Sequence, residues 1–190
     1  RIITQNRTRR IHFYTDLAEK ILVAARRTAV QRQQEEIGTE HILWAMLQEP
    51  ESQAAHLLLR CGVDKYTLLG ELETWMGKTV EGANPASYTK EASAALQYAK
   101  SFSDADGLYL ISSGHILLGL LAEEGCVASR VLARFTIDMN RVQVMMHEEF
   151  IQTHALPEKN KFKSQAKKEK AEAELQKALK LLNGFGRNLN

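Results

Sequence analysis

Apolar residues recur along this chain at helical spacing, and no segment sustains the apolar–polar alternation typical of a half-buried strand. A first stripe covers residues 17–25 and follows Thr15, whose hydroxyl can cap free N–H groups. Prolines fall between the stripes, where a helix has to end. The pattern predicts four helices before residue 77. The second begins at the cap Thr39 and the fourth at the cap Asp64. The third begins around Ala54 and closes at Gly62.

The same pattern occurs twice. Tyr14-Thr15 returns as Tyr88-Thr89, and the string IGTEHIL at 37–43 returns as ISSGHIL at 111–117. Both pairs are 74 residues apart, so the two copies align without a gap. A repeat at a fixed interval predicts a duplicated structural unit. The helix caps expected in the second copy are Thr89, Ser113 and Asp138.

We therefore predict an all-α fold of two tandem pseudo-symmetric four-helix repeats, followed by a basic linker that is helical or partly ordered. The predicted boundaries follow from the prolines, the glycine-containing connection and the change in composition after Pro157. They are a basic extension at 1–13, a first repeat at 14–80, a connection at 81–87, a second repeat at 88–155 and a Lys/Glu-rich linker at 156–190.

Charge is divided unevenly along the chain. The formal net charge is +2, but both flanks are basic and residues 14–155 carry a net charge of −7. An acidic body argues against nucleic acid as the main ligand, because phosphate binding needs a basic face. The two cysteines, Cys61 and Cys126, lie in no metal-binding spacing and suit a reducing compartment. No apolar run is long enough to cross a membrane, so we expect a cytoplasmic protein. The acid-free, Arg-rich start leaves an organelle of bacterial descent as the alternative.

The paired motifs, in this helical order, resemble the N-terminal double repeat of Clp-family unfoldases of the ClpA/ClpC type. The resemblance covers residues 14 to about 152. The string FGRNL at 185–189 resembles the entry to the first ATPase module of that family. The resemblance therefore implies that an ATPase module follows and holds ATP and Mg²⁺. No phosphate-binding loop motif occurs in this segment, for which no cofactor is expected.

The resemblance implies a binding module without catalytic residues. In the family, this domain receives adaptors and protein substrates above a hexameric ring, which unfolds them and feeds a ClpP-type protease in quality control and stress responses. We expect the isolated domain to be a monomer. The alternative is a free-standing Clp-repeat subunit that regulates a protease core without an ATPase. A small histidine-dependent enzyme is disfavoured, because no catalytic constellation accompanies the histidines.

Each family copy can also hold phosphoarginine, with the Thr of the aromatic-Thr pair and the Glu of the GTEH string in the site. The resemblance thus implies a site at Thr15 and Glu40, beside His41, and a weaker one at Thr89 and His115. Gly114 replaces the glutamate in the second copy, which removes the partner of the guanidinium. The residues alone favour plainer roles. Glu40 would be an acid in a first helical turn, and the two histidines would be packed or capping side chains.

Overall fold

The computed structural model of the protein describes residues 12–77 and 79–151. The chain divides into two units, Arg1–Met146 and His147–Asn190. In the second unit only residues 147–151 are described, and they are helical. The predicted linker at 156–190 and most of the basic extension at 1–13 lie outside the described residues.

The first repeat contains the four predicted helices: α1 (Asp16–Gln31), α2 (Thr39–Gln48), α3 (Gln53–Arg60) and α4 (Lys65–Trp75). Side-chain caps begin three of them, because Thr15, Ser52 and Asp64 each accept a hydrogen bond from a backbone N–H in the first turn. Gly62 follows α3 with a φ of +83°, which is the left-handed conformation predicted for it.

The second repeat contains α5 (Lys90–Ala105), α6 (Ser113–Ala122) and α7 (Val127–Arg134). A last helix, α8, begins at residue 139, directly after the predicted cap, and continues to the end of the first unit at 146. Thr89 caps α5 through its hydroxyl, as predicted. The all-α prediction is confirmed.

Two helix starts differ from the prediction. Thr39 and Ser113 were expected to cap α2 and α6, but the N-cap residues are Gly38 and Ser112. The hydroxyl of Thr39 instead accepts a 3.2 Å hydrogen bond from the N–H of Ala128 in α7. Ser113 accepts the equivalent 3.2 Å bond from Ala54 in α3. Each hydroxyl is buried and satisfies an N–H group at a helix start in the other repeat.

Short parallel pairings also join the repeats. Strand β1 (Phe13–Tyr14) pairs with β2 (Leu110–Ile111), placing Tyr14 opposite Ile111. An isolated parallel bridge between Ile37 and Tyr88 repeats this contact with the two halves exchanged. Strands of two residues are too short to produce an alternating pattern, so the sequence did not predict them. The repeats are interlocked rather than merely adjacent.

The core is centred on α2 and α6, whose apolar side chains are almost wholly buried. They are Ile42, Leu43 and Met46 in α2 and Ile116, Leu117 and Leu120 in α6. Contacts of α6 with α1, α3 and α5 make this core common to both repeats. In residues 12–77 and 79–151, no helix combines the length and the apolar composition needed to cross a membrane.

Candidate functional site

The cross-repeat pairings bring helix starts together in two places. The backbone N–H of Thr89 donates to the carbonyl of Ile37 over 3.0 Å, so the start of α5 lies beside the start of α2. The N–H of Thr15 donates to Ile111 over 3.0 Å, which sets the start of α1 beside that of α6. We call the first cluster the Glu40 site, formed by Gly38, Glu40, His41, Thr89 and Glu91. We call the second the Gly114 site, formed by Thr15, Gln53, Ser112, Gly114 and His115.

This arrangement differs from the grouping expected from the sequence, which assigned each threonine to the glutamate position of its own copy. The backbone instead connects Thr89 to Ile37, three residues before Glu40, and Thr15 to Ile111, three residues before Gly114. The physical reason is that each aromatic-Thr segment pairs with the segment before helix two of the opposite repeat. Each candidate site is therefore built from both repeats.

The Glu40 carboxylate folds back over the start of α2. Its side chain is only 14% exposed, and its Oε1 lies 3.5 Å from Nδ1 of His41. A methyl group on Gly38 would overlap both carboxylate oxygens. The absence of a side chain at position 38 thus makes room for the carboxylate above the helix start.

The Glu40 carboxylate is largely buried and forms no ion pair with a lysine or arginine of the described residues. Burial raises the pKa of Glu40, and the neighbouring charge of Glu91 raises it further, while a hydrogen bond to its own backbone N–H partly opposes both effects. Among residues 12–77 and 79–151, no lysine or arginine forms an ion pair with Glu40. A carboxylate held this way favours a bound cation, because a cation would offset both burial and repulsion.

His41 caps α2 from within the helix. Its ring is 1% exposed, and Nδ1 accepts a 2.9 Å hydrogen bond from the N–H of Gly38. The proton of the neutral ring is therefore on Nε2, which is buried and has no hydrogen-bond partner in the described part of the chain. Burial, together with the positive charge of Arg32, lowers the pKa of His41 from its usual 6.5 to about 4. At neutral pH the ring is an uncharged cap.

His115 makes the same cap in the second repeat, where Nδ1 accepts a 2.9 Å bond from the N–H of Ser112. Its Nε2, however, lies 3.1 Å from Oδ2 of Asp106. Burial lowers the pKa of His115, and Asp106 opposes that effect. Arg32 occupies the position of the first repeat that corresponds to Asp106. The two histidines thus share one capping role and differ in what faces Nε2.

The Gly114 site is already filled. Oε1 of Gln53 accepts a 2.8 Å hydrogen bond from the Ser112 hydroxyl. A side chain at position 114 would lie 2.5 Å from that Gln53 oxygen and 2.9 Å from Cε of Met146. This cluster has no carboxylate at position 114, and a side chain there would have to displace the ends of Gln53 and Met146. Sequence reasoning missed Gln53, which follows no motif, and Glu91, whose position after Thr89 becomes meaningful only once α5 is placed beside α2.

The sequence pattern of the family described as "Clp repeat (R) N-terminal domain" matches residues 13–88 and again residues 87–188. The chain belongs to this Clp repeat family. The negative regulator of genetic competence ClpC/MecB of Bacillus subtilis is 31% identical over 130 residues, 68% of this chain and 16% of that protein. The chaperone protein ClpB of Oceanobacillus iheyensis is 30% identical over 130 residues, with the same coverage.

The fold agrees with solved Clp repeat structures. The N-domain of ClpV from Vibrio cholerae superimposes with a TM-score of 0.63 over 74% of this chain and 85% of that domain, at 20% identity. At that identity the likeness concerns the fold alone. The Clp repeat chain spans about 16% of the length of the curated relatives it matches.

Proposed function

We propose that this chain is the N-terminal docking domain of a Clp-type ATP-dependent unfoldase and that it receives adaptors and protein substrates. The similarity to ClpC and ClpB proteins supports this role, because the Clp repeats match a small part of much longer relatives. ATP and Mg²⁺ would be bound by a following module, and a ClpP-type protease in the cytoplasm would receive the unfolded protein. The relatives do not favour a free-standing regulatory subunit.

We further propose that the Glu40 site recognises phosphoarginine on marked proteins. The observation that carries this proposal is the buried Glu40 carboxylate, which has a raised pKa and no lysine or arginine partner among the described residues. A guanidinium would pair with that carboxylate, and Glu91 would add to the attraction for a cation. The adjoining N-termini of α2 and α5 suit the phosphate, because the dipole of each helix favours negative charge there.

The Gly114 site is proposed to bind no phosphoarginine. Gln53 occupies the space above the start of α6, and no carboxylate stands at position 114. Each chain would then hold a single phosphoarginine, in a cluster that draws Glu40 from one repeat and Thr89 from the other.

Calorimetric titration of the 190-residue chain with free phosphoarginine tests the proposal. We expect one site per chain and a loss of affinity of about 30-fold or more in Glu40→Gln, because a buried charged pair is removed. The control is Glu36→Gln, which makes the same charge change at an exposed residue and should bind normally. Two equal sites, or full affinity in Glu40→Gln, would contradict the proposal.

The same variant should fold at least as well as the parent. Because burial raises the pKa of Glu40, ionisation of this carboxyl opposes folding as the pH rises above its usual range. An amide removes that charge, so a weaker affinity in Glu40→Gln would not arise from unfolding.

A further inference from the structure

A cleft of about 230 Å³ opens between α1 and α2 in the first repeat. Its apolar lining comes from Ile21, Val23 and Ala24 of α1 and from Ala45 of α2. Val23 is 56% exposed, so apolar surface continues from the cleft to its rim. None of the residues lining this α1–α2 cleft belongs to the Glu40 site.

The second repeat shows why this cleft exists. Gly119 corresponds to Ala45, and Ala95 corresponds to Ile21. A methyl group on Gly119 would overlap the carbonyl oxygen of Ala95, so α5 and α6 are in close backbone contact. In the first repeat, Ala45 supplies that methyl group, and Ile21 stands in place of the alanine. Because both side chains are larger, α1 and α2 cannot approach as closely, and the space between them remains open.

The rim of the cleft carries two basic side chains and one acidic side chain. Lys20 at one end forms a 2.5 Å ion pair with Glu49, which offsets its charge. Arg27 at the other end is exposed and has no carboxylate partner in the part of the chain that the structure describes. Val23, Arg27 and Val30 stand four and three residues apart, so they share one face of α1. This face offers alternating apolar and basic groups beside an apolar cleft.

We propose that the α1–α2 cleft docks an amphipathic helix of a partner protein, whose apolar side chain enters between Ala24 and Ala45 and whose carboxylate meets Arg27. An apolar helix face inserted into a groove is a recurrent mode of peptide recognition. Arg27 fixes the sign of the partner's charge, and the cleft has room for one large apolar side chain. The inference goes beyond phosphoarginine recognition and does not depend on it.

The probe is a fluorescein-labelled helical peptide of about 15 residues, with leucines three and four positions apart on one face and glutamates beside them. Fluorescence anisotropy with the 190-residue chain should show saturable binding. Arg27→Glu should weaken it by about fivefold to tenfold, and a peptide with lysines in place of the glutamates should recover that loss. Ala24→Leu, which fills the cleft from a half-buried position, should abolish binding of both peptides.

Arg26→Glu is the matched control, because it makes the same charge change on the neighbouring residue. Arg26 lies near enough to Tyr88 to lower its pKa and does not line the cleft, so the peptide should bind this variant normally. Equal weakening by Arg26→Glu, or binding that survives Ala24→Leu, would overturn the proposal. So would self-association of the chain that is lost in Ala24→Leu, since it would assign the cleft to a second copy.

The two proposals can fail separately. Arg27→Glu should keep its affinity for phosphoarginine, and Glu40→Gln should keep its affinity for the peptide. If both ligands were lost together in either variant, the cleft would not be an independent docking surface.

Discussion

Fragments comprising residues 12–77 or 79–151 alone will be unfolded in solution, whereas an equimolar mixture of the two will recover helical structure. Each fragment lacks a hydroxyl that accepts a hydrogen bond from the first turn of one of its own helices, because Thr39 serves α7 and Ser113 serves α3. Each also loses its partner strand segment and its share of the common core. Short helices are marginal in water without tertiary packing, so little helix should persist. Circular dichroism measures the outcome.

Native-like helicity and dispersed amide resonances in either fragment alone would show that the repeats are independent domains.

A single substitution in the intact chain provides a second test. Thr39→Val keeps the side-chain shape but leaves the N–H of Ala128 without its acceptor, which should lower the free energy of unfolding by about 1–2 kcal/mol in urea. Thr28→Val is the matched control, since that hydroxyl only donates to Ala24 in its own helix. Equal costs for the two variants would exclude an interlocking role for Thr39.

Acidification should destabilise the parent chain through His41. Its pKa in the folded state is about 4, below the usual 6.5, so between these values the unfolded chain binds a proton that the folded chain does not. Stability is therefore lost as the pH falls from 6.5 towards 4, by up to roughly 3 kcal/mol from this residue. Arg32→Asp, which copies Asp106 of the second repeat, should raise the pKa of His41 but leave it below 6.5, because burial remains the larger cause.

Titration of the imidazole resonances by NMR measures this directly and does not depend on the stability of the variant. That matters because Arg32 also pairs with Glu73 over 2.9 Å and lies 5.1 Å from the ring centre of Trp44. Arg26→Asp is the control, since it removes an equal charge from α1 and should leave His41 unchanged. An unaltered pKa of His41 in Arg32→Asp would disprove the assigned electrostatic effect.

Helical periodicity and the 74-residue repeat were sufficient to predict the helices, because those signals are local or repeated in register. Thr15, Asp64 and Gly62 act where their chemistry suggested, since caps depend on the nearest turn. The predicted N-caps Thr39 and Ser113 were each wrong by one residue. The reason is that a hydroxyl at a helix start can also accept a hydrogen bond from another helix. No local feature of the sequence shows that these two hydroxyls accept hydrogen bonds from helices of the other repeat.

The sequence offered Glu40 and Thr89 as candidate site residues but did not place them together. Glu40 and Thr89 come from different copies, and only the pairing of Ile37 with Tyr88 places their helices together. The filled Gly114 site also depends on tertiary contact, because Gln53 reaches Ser112 from 59 residues away. The sequence shows that position 114 has no carboxylate. It does not show that Gln53 lies in the space above that position.

Mapping of amide shifts on the 190-residue chain during addition of phosphoarginine tests the central claim most directly. We expect the perturbed signals to include Gly38, Glu40, Thr89 and Glu91 together, with Thr15, Ser112 and Gly114 unchanged. Perturbation of Thr15 with Glu40 while Thr89 stays unchanged, or of the Gly114 site to an equal extent, would contradict a single site shared between the repeats.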